Sequence, residues 1–294
     1  MITTKNIDGF WRPGMTPPTF RTKMEKITII KLGGSLITDK SRPMVAREKI
    51  IARLAKEIKI ASKLYSGKLL IGHGSGSFGH TSANKYQTQK GMLNRASIKG
   101  VSEVSDVASQ LTKVVVKHLR GAGLPIVAFA PGSFIIADKQ KEKRFFLEPI
   151  KEALKMGVVP LVYGDVVFDQ SQGFGIFSTE KVIDVLVRGL SKDFKIERIV
   201  YLGVTNGVYD ETGKTIPMIS PKTFSKVRKT LGGAATTDVT GGMLHKVKES
   251  LQIARKYKTE ILIVNGRVSG IVRKAILGKK VLGTLIKTYR YQRG

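Results

Sequence analysis

Lysines beside glycine-rich turns are the residues of this chain best suited to chemistry. Three such turns are read as following strands: Lys31-Leu32-Gly33-Gly34-Ser35, Gly72-His73-Gly74-Ser75-Gly76-Ser77-Phe78-Gly79-His80, and Thr240-Gly241-Gly242-Met243. Glycine lets backbone N–H groups come close to an oxyanion, and a helix starting just beyond adds the positive end of its dipole. One such turn is ordinary in a strand-to-helix connection. Three, two of them with lysine at the edge, point to several phosphates held together. No Gly-x-x-x-x-Gly-Lys-Ser/Thr loop occurs. Gly74–Gly79 does hold G-x-G-x-x-G, but no acidic residue stands about 20 positions on to meet a ribose, so a dinucleotide fold is disfavoured.

The elements that must position these turns are legible from periodicity. Strands are expected at Ile27–Leu32, Leu69–Ile71, Ile126–Phe129, Val158–Val162, Ile199–Leu202, Ile261–Val264 and Val281–Ile286. Amphipathic helices are expected at Val45–Leu64 and Ile98–Leu119, apolar at the helical spacing. Val166–Phe168 and Phe174–Phe177 flank a hairpin turn at Gln170–Gly173. Strands alternating with helices argue an α/β fold with a mainly parallel sheet. A soft boundary near Ser191–Lys195 divides residues 24–194 from 195–294.

Composition narrows the function class. The 294 residues are 41% hydrophobic and 25% charged, enough for a packed core. No apolar run of about 18 residues suggests a membrane span. With no cysteine, thiolate metal sites and disulfides are excluded, which fits a reducing cytosol and a cytoplasmic location. Lys+Arg 51 against Asp+Glu 22 gives +29, a surface that attracts anions. The cations are spread along the chain, and only 7% of residues are aromatic. There is therefore no localised basic tail or stacking platform, which argues against a specific nucleic-acid partner. Met1–Lys23, with Pro13, Pro17 and Pro18 and no apolar core, reads as a disordered extension or as residues upstream of a natural start at Met24.

Taken together, Lys31–Ser35 with Lys40, the Gly-Ser-Phe-Gly-His run at 76–80, Gly164-Asp165, and Asp238-Val239-Thr240-Gly241-Gly242-Met243 with Lys246 resemble the amino-acid kinase superfamily, and within it the isopentenyl phosphate kinases. The resemblance spans roughly Lys26 to Thr288. It implies a three-layer αβα sandwich around a mainly parallel central sheet, with the phosphoryl acceptor held by the first part and ATP by the second. It also implies a homodimer and the conversion of isopentenyl phosphate and ATP, with Mg2+, to isopentenyl diphosphate and ADP, a step of isoprenoid biosynthesis.

On that resemblance Lys31, Gly33, Gly34, Ser35, Gly76, Gly241, Gly242 and Lys246 would meet the ATP phosphates. Lys40 would stabilise the transition state. His80 would bind the acceptor phosphate, joined by Gly74, Ser75, Asp165 and Thr179. Glu180 would hold Lys31 and Lys246 in register. His73 reads as structural, and His118 and His245 as ordinary helix residues. An apolar tail pocket is expected near Ile98–Val107 and near Phe129, Phe134 and Ile135, residues that read equally well as plain core. No protein-built metal site is expected. The chain departs from the family in two places: Ser178-Thr179-Glu180 stands where Ser-Gly-Asp is usual, and Val204-Thr205-Asn206-Gly207-Val208 lacks two carboxylates. Other acceptors within the superfamily, such as the phosphonate fosfomycin, a basic nucleic-acid-binding protein on the same scaffold, and an inactive regulatory homologue are the competing readings. The intact Lys31, Lys40, His80 and Lys246 disfavour the last.

Overall fold

A computed structural model of the chain describes residues 24–79, 86, 88, 91–233 and 239–288. The expectation for Met1–Lys23 lies outside these residues. Eight strands form one sheet in the order β10-β12-β11-β9-β1-β2-β6-β3. These are β1 (Lys26–Leu32), β2 (Lys68–His73), β3 (Ile126–Phe129), β6 (Val159–Tyr163), β9 (Lys195–Gly203), β10 (Met218–Ile219), β11 (Glu260–Asn265) and β12 (Gly283–Ile286). Every neighbouring pair is parallel except β11 with β12. A second sheet, order β5-β4-β7-β8, is built from two hairpins: β4 (Ile135–Asp138) with β5 (Lys141–Phe145), and β7 (Asp165–Asp169) with β8 (Gly173–Phe177). The second hairpin is the one expected around Gln170–Gly173.

Period-two alternation sends the two halves of each central strand into different cores. From β1, Ile30 and Leu32 pack with α2 (Glu48–Leu64), α3 (Arg95–Gly121) and α8 (Ile271–Ile276). Ile27 and Ile29 pack on the other face with α4 (Glu148–Lys155), α5 (Thr179–Leu190), α6 (Pro221–Gly233) and α7 (Val239–Tyr257). These are the three αβα layers expected. Buried apolar surface of this kind stabilises by roughly 25 cal/mol per Å². Capping fixes where the site-bearing helices begin. The Asn94 side chain accepts from the Ser97 N–H and the Ser97 hydroxyl accepts from the Asn94 N–H, so α3 starts at Arg95, earlier than the apolar pattern suggested. Ser178 caps α5 by accepting from the Lys181 N–H at 3.3 Å.

The order of strands also fixes where a ligand can enter. From β1 the chain runs outward to β2, and from β9 it runs outward to β11 on the opposite side. The carboxyl ends of β1 and β9 therefore flank a topological switch point, where open α/β sheets form their crevices. The Lys31–Ser35 turn lies at this edge. One sheet runs through both sequence halves, since β1 pairs with β9 from Lys26 to Leu32.

Candidate active site

The first two glycine turns meet backbone to backbone. The Gly33 N–H donates to the Leu202 carbonyl at 2.8 Å, and the Gly74 N–H to the Leu32 carbonyl at 2.9 Å. A Cβ placed on Gly34 would lie 2.4 Å from the Gly76 nitrogen. Gly76 has φ +52°, and a Cβ there would lie 2.1 Å from Thr38 Oγ1. Thr38 locks the pair: its hydroxyl donates to the Gly34 carbonyl at 2.8 Å and accepts from the Ser77 N–H at 3.0 Å. The N–H groups of Gly33 and Gly74 are thus spent on closing the turns. Those of Gly34 and Ser35, which open the short helix α1 (Gly34–Ile37), and of Ser75 and Gly76 are left without a backbone acceptor among the described residues.

Lys31 follows Ile27 and Ile29 onto the α5–α7 face and is only 7% exposed. Its ammonium donates to Glu180 Oε1, and Lys246 Nζ lies 3.8 Å from the same oxygen. Residues from β1, α5 and α7, far apart in sequence, thus share one carboxylate. Burial pushes the Glu180 carboxyl up, but the charges of Lys31 and Lys246 outweigh it and hold the group below its ordinary value. Burial and the charge of Lys31 pull the Lys246 ammonium down. Two lysines beside one carboxylate leave a net positive charge for an anion to neutralise. Tyr201 forms the floor, with its ring centroid 6.0 Å from Lys31 Nζ.

A cleft of about 340 Å³ opens beside this clamp. Gly34, Ser35 and the exposed Lys40 line one wall, and Gly74, Ser75 and Gly76 the next. Asp165, Thr179 and Glu180 close the far side, and Val104, Ala108 and Ile176 supply an apolar surface. Asp165 is buried, and that burial pushes its carboxyl up to about 6 even though the Val166 N–H and the Ser105 hydroxyl donate to it. The Thr179 hydroxyl donates to the His73 carbonyl at 2.7 Å. His73 is buried, stacked on Tyr163 and 3.0 Å from the Thr112 hydroxyl, and burial depresses its imidazole to about 4. It is a packing residue, as expected. His118 on α3 meets Glu48 of α2, and His245 meets Glu249 one turn further along α7.

Several expectations need correction. Gly241 and Gly242 are not in a loop before a helix but within the first turn of α7. A Cβ on Gly242 would meet nothing within 4 Å, so packing does not demand glycine there. Phe134 and Ile135 belong to the main core rather than to the cleft, and Ile98 is exposed; Ile176 of β8 takes their place at the apolar wall. The Val204–Val208 loop is held by uncharged groups. The Asn265 amide donates to Asn206 Oδ1 at 3.0 Å, and the Val208 N–H donates to the Thr284 hydroxyl at 2.8 Å. His80 and Asp238 lie outside the described residues. Thr38, Ser105 and Tyr201 escaped the sequence reading. Thr38 lies one turn beyond its motif, Ser105 on a helix packed against Asp165, and Tyr201 on the strand next to Lys31, and no local pattern marks them.

A sequence model of the amino acid kinase family matches residues 26–265. The chain belongs to the amino acid kinase family. An isopentenyl phosphate kinase of Methanocaldococcus jannaschii is 33% identical over 270 residues, 88% of this chain and 98% of the relative. One from Methanothermobacter thermautotrophicus is 34% identical over 269 residues, with the same coverage. A solved structure of an isopentenyl phosphate kinase superposes with a TM-score of 0.73 at 29% identity, covering 89% of this chain and all of that one.

Proposed function

We propose that this protein is a kinase that transfers the γ-phosphoryl group of ATP to isopentenyl phosphate, giving isopentenyl diphosphate and ADP for isoprenoid biosynthesis. The observation that carries the reading is the cleft lined by Gly34, Ser35, Gly74, Ser75 and Gly76, whose wall residue Glu180 pairs with both Lys31 and Lys246. The relatives named isopentenyl phosphate kinases support the choice of acceptor.

In this reading residues 24–194 hold the acceptor and residues 195–294 the nucleotide. The acceptor phosphate rests on the N–H groups of Ser75 and Gly76 and is gripped by His80, with its hydrocarbon tail toward Val104, Ala108 and Ile176. Lys246 and the N-terminus of α7 around Gly241 and Gly242 hold the nucleotide phosphates. Lys31 and the N–H groups of Gly34 and Ser35 sit between the two anions, and Lys40 closes from the rim. Glu180 holds Lys31 and Lys246 at a fixed spacing.

The acceptor needs no general base, because a phosphate monoester with a second pKa of about 6 is already largely ionised at neutral pH. One of its oxygens forms a bond to the γ-phosphorus while the bond to the β,γ-bridging oxygen breaks, and ADP leaves with that electron pair. The protein's work is to position two like-charged groups in line and to neutralise them.

Magnesium enters with the nucleotide as part of the co-substrate. Among the described residues no three His, Cys, Asp or Glu side chains group into a metal cage, and the Glu180 carboxylate is taken by two lysines. This donor set suits an ion held by phosphates and water. Among the described residues no helix is long and apolar enough to cross a membrane. We place the enzyme in the cytoplasm as a homodimer, which sedimentation velocity would read directly.

An ADP-release assay over a panel of acceptors tests the substrate. Isopentenyl phosphate is expected to give the highest kcat/KM, well above fosfomycin, N-acetylglutamate and UMP. Turnover of any of the last three in preference to isopentenyl phosphate would refute the assignment.

A further inference from the structure

Thr179, expected to touch substrate, lines the cleft and also makes a contact with β2. The residue is 1% exposed and opens α5, one position before Glu180. Its hydroxyl donates to the carbonyl of His73, the last residue of β2, at 2.7 Å. Its methyl group lies against Gly72, where an added Cβ would come within 2.9 Å of Thr179 Cγ2. Polar and apolar arms of one small side chain therefore fasten the first turn of α5 to the end of β2. Glu180, the next residue, carries the carboxylate shared by Lys31 and Lys246.

We infer that Thr179 is a positioning residue that sets the reach of Glu180 and, through it, the spacing of the two phosphate-binding lysines. The inference rests on the kinase reading above. A helix opening freed from β2 could tilt by a fraction of an ångström, and the long Glu180 arm would carry that error to both ammonium groups. Reaction rates are sensitive to such misplacement. Threonine is suited to this position because both arms are used. Serine keeps the hydroxyl and gives up the methyl, valine keeps the shape and gives up the hydrogen bond, and glycine gives up both.

The test is a set of variants assayed with ATP and isopentenyl phosphate, with thermal unfolding followed in parallel. Thr179→Val is expected to lower kcat about tenfold, the scale of one lost buried hydrogen bond, while KM for both substrates stays within about twofold. Thr179→Ser is expected to stay within about threefold of the parent. Gly72→Ala crowds the methyl and is expected to lower kcat, and adding Thr179→Ser to it should restore activity by making room. In a Glu180→Asp background, whose shortened arm has already lost the register, Thr179→Val should cost much less than in the parent.

Unchanged kcat in Thr179→Val would overturn the inference. So would equal losses for valine and serine, or the same fold-loss in the Glu180→Asp background as in the parent. An inactive parent enzyme would instead refute the kinase reading and, with it, the inference that rests on it.

Discussion

Glu180 stands between two ammonium groups that would otherwise repel each other across a partly buried gap. Glu180→Gln removes the charge that holds them and is expected to lower kcat about a hundredfold, the scale of losing a fixed electrostatic partner in a site of this kind. Steady-state kinetics read this directly. Asp165 gives a test that needs no substrate. Its folded carboxyl keeps a proton up to about pH 6, whereas in the unfolded chain it ionises near 3.8. Between those values the folded state binds more protons, so this group's contribution to stability falls as pH rises through the window and stays low above it. Asp165→Asn should therefore unfold at a higher temperature than the parent at pH 7.5, by an amount worth roughly 2–3 kcal/mol, and show little difference near pH 4. His73 acts with the opposite sign. Its imidazole is depressed from 6.5 to about 4, so its contribution is complete above pH 6.5 and is lost as pH falls toward 4. The comparison of parent with variant cancels that shared background.

The elements show how much of the site the sequence could reveal. β1, β2, β9 and β11 were readable because continuous apolar runs mark buried parallel strands. The turns after β1 and β2 were readable because glycine clusters there. What could not be read was contact between the turns. The requirement for glycine at 34 comes from the Gly76 backbone, 42 positions away in sequence, and Thr38 joins them through a hydroxyl that has no sequence signature. The β4–β5 hairpin, Lys-Glu-Lys-Arg-Phe in its second strand, lacks an alternating apolar face and so gave no strand signal. At α7 the glycines suggested a loop, but helical backbone continues through them. These differences make two opposite predictions. Gly34→Ala drives a methyl into the second turn and should abolish phosphoryl transfer, whereas Gly242→Ala meets no neighbour and should leave the fold intact with an unfolding temperature equal to or above the parent's.

At the scale of the whole molecule the charge of +29 acts on every approaching anion. Both proposed substrates are multiply negative, so the protein's field should raise their encounter rate. Raising salt from ~20 to ~300 mM shortens the screening length severalfold, and kcat/KM is expected to fall severalfold while kcat changes little. Equal values at both ionic strengths would show that the excess charge plays no part in capture. The same architecture places the most convergent chemistry at the switch point between β1 and β9, where the two phosphates are expected to meet. A crystal structure with a non-hydrolysable ATP analogue and isopentenyl phosphate measures that directly. The γ-phosphate is expected within hydrogen-bond distance of Lys31 and Lys246, and the acceptor phosphate on the Ser75 and Gly76 amides, in line with it. Phosphates bound away from Lys31, or an acceptor lying outside the cleft between the two glycine turns, would contradict this placement.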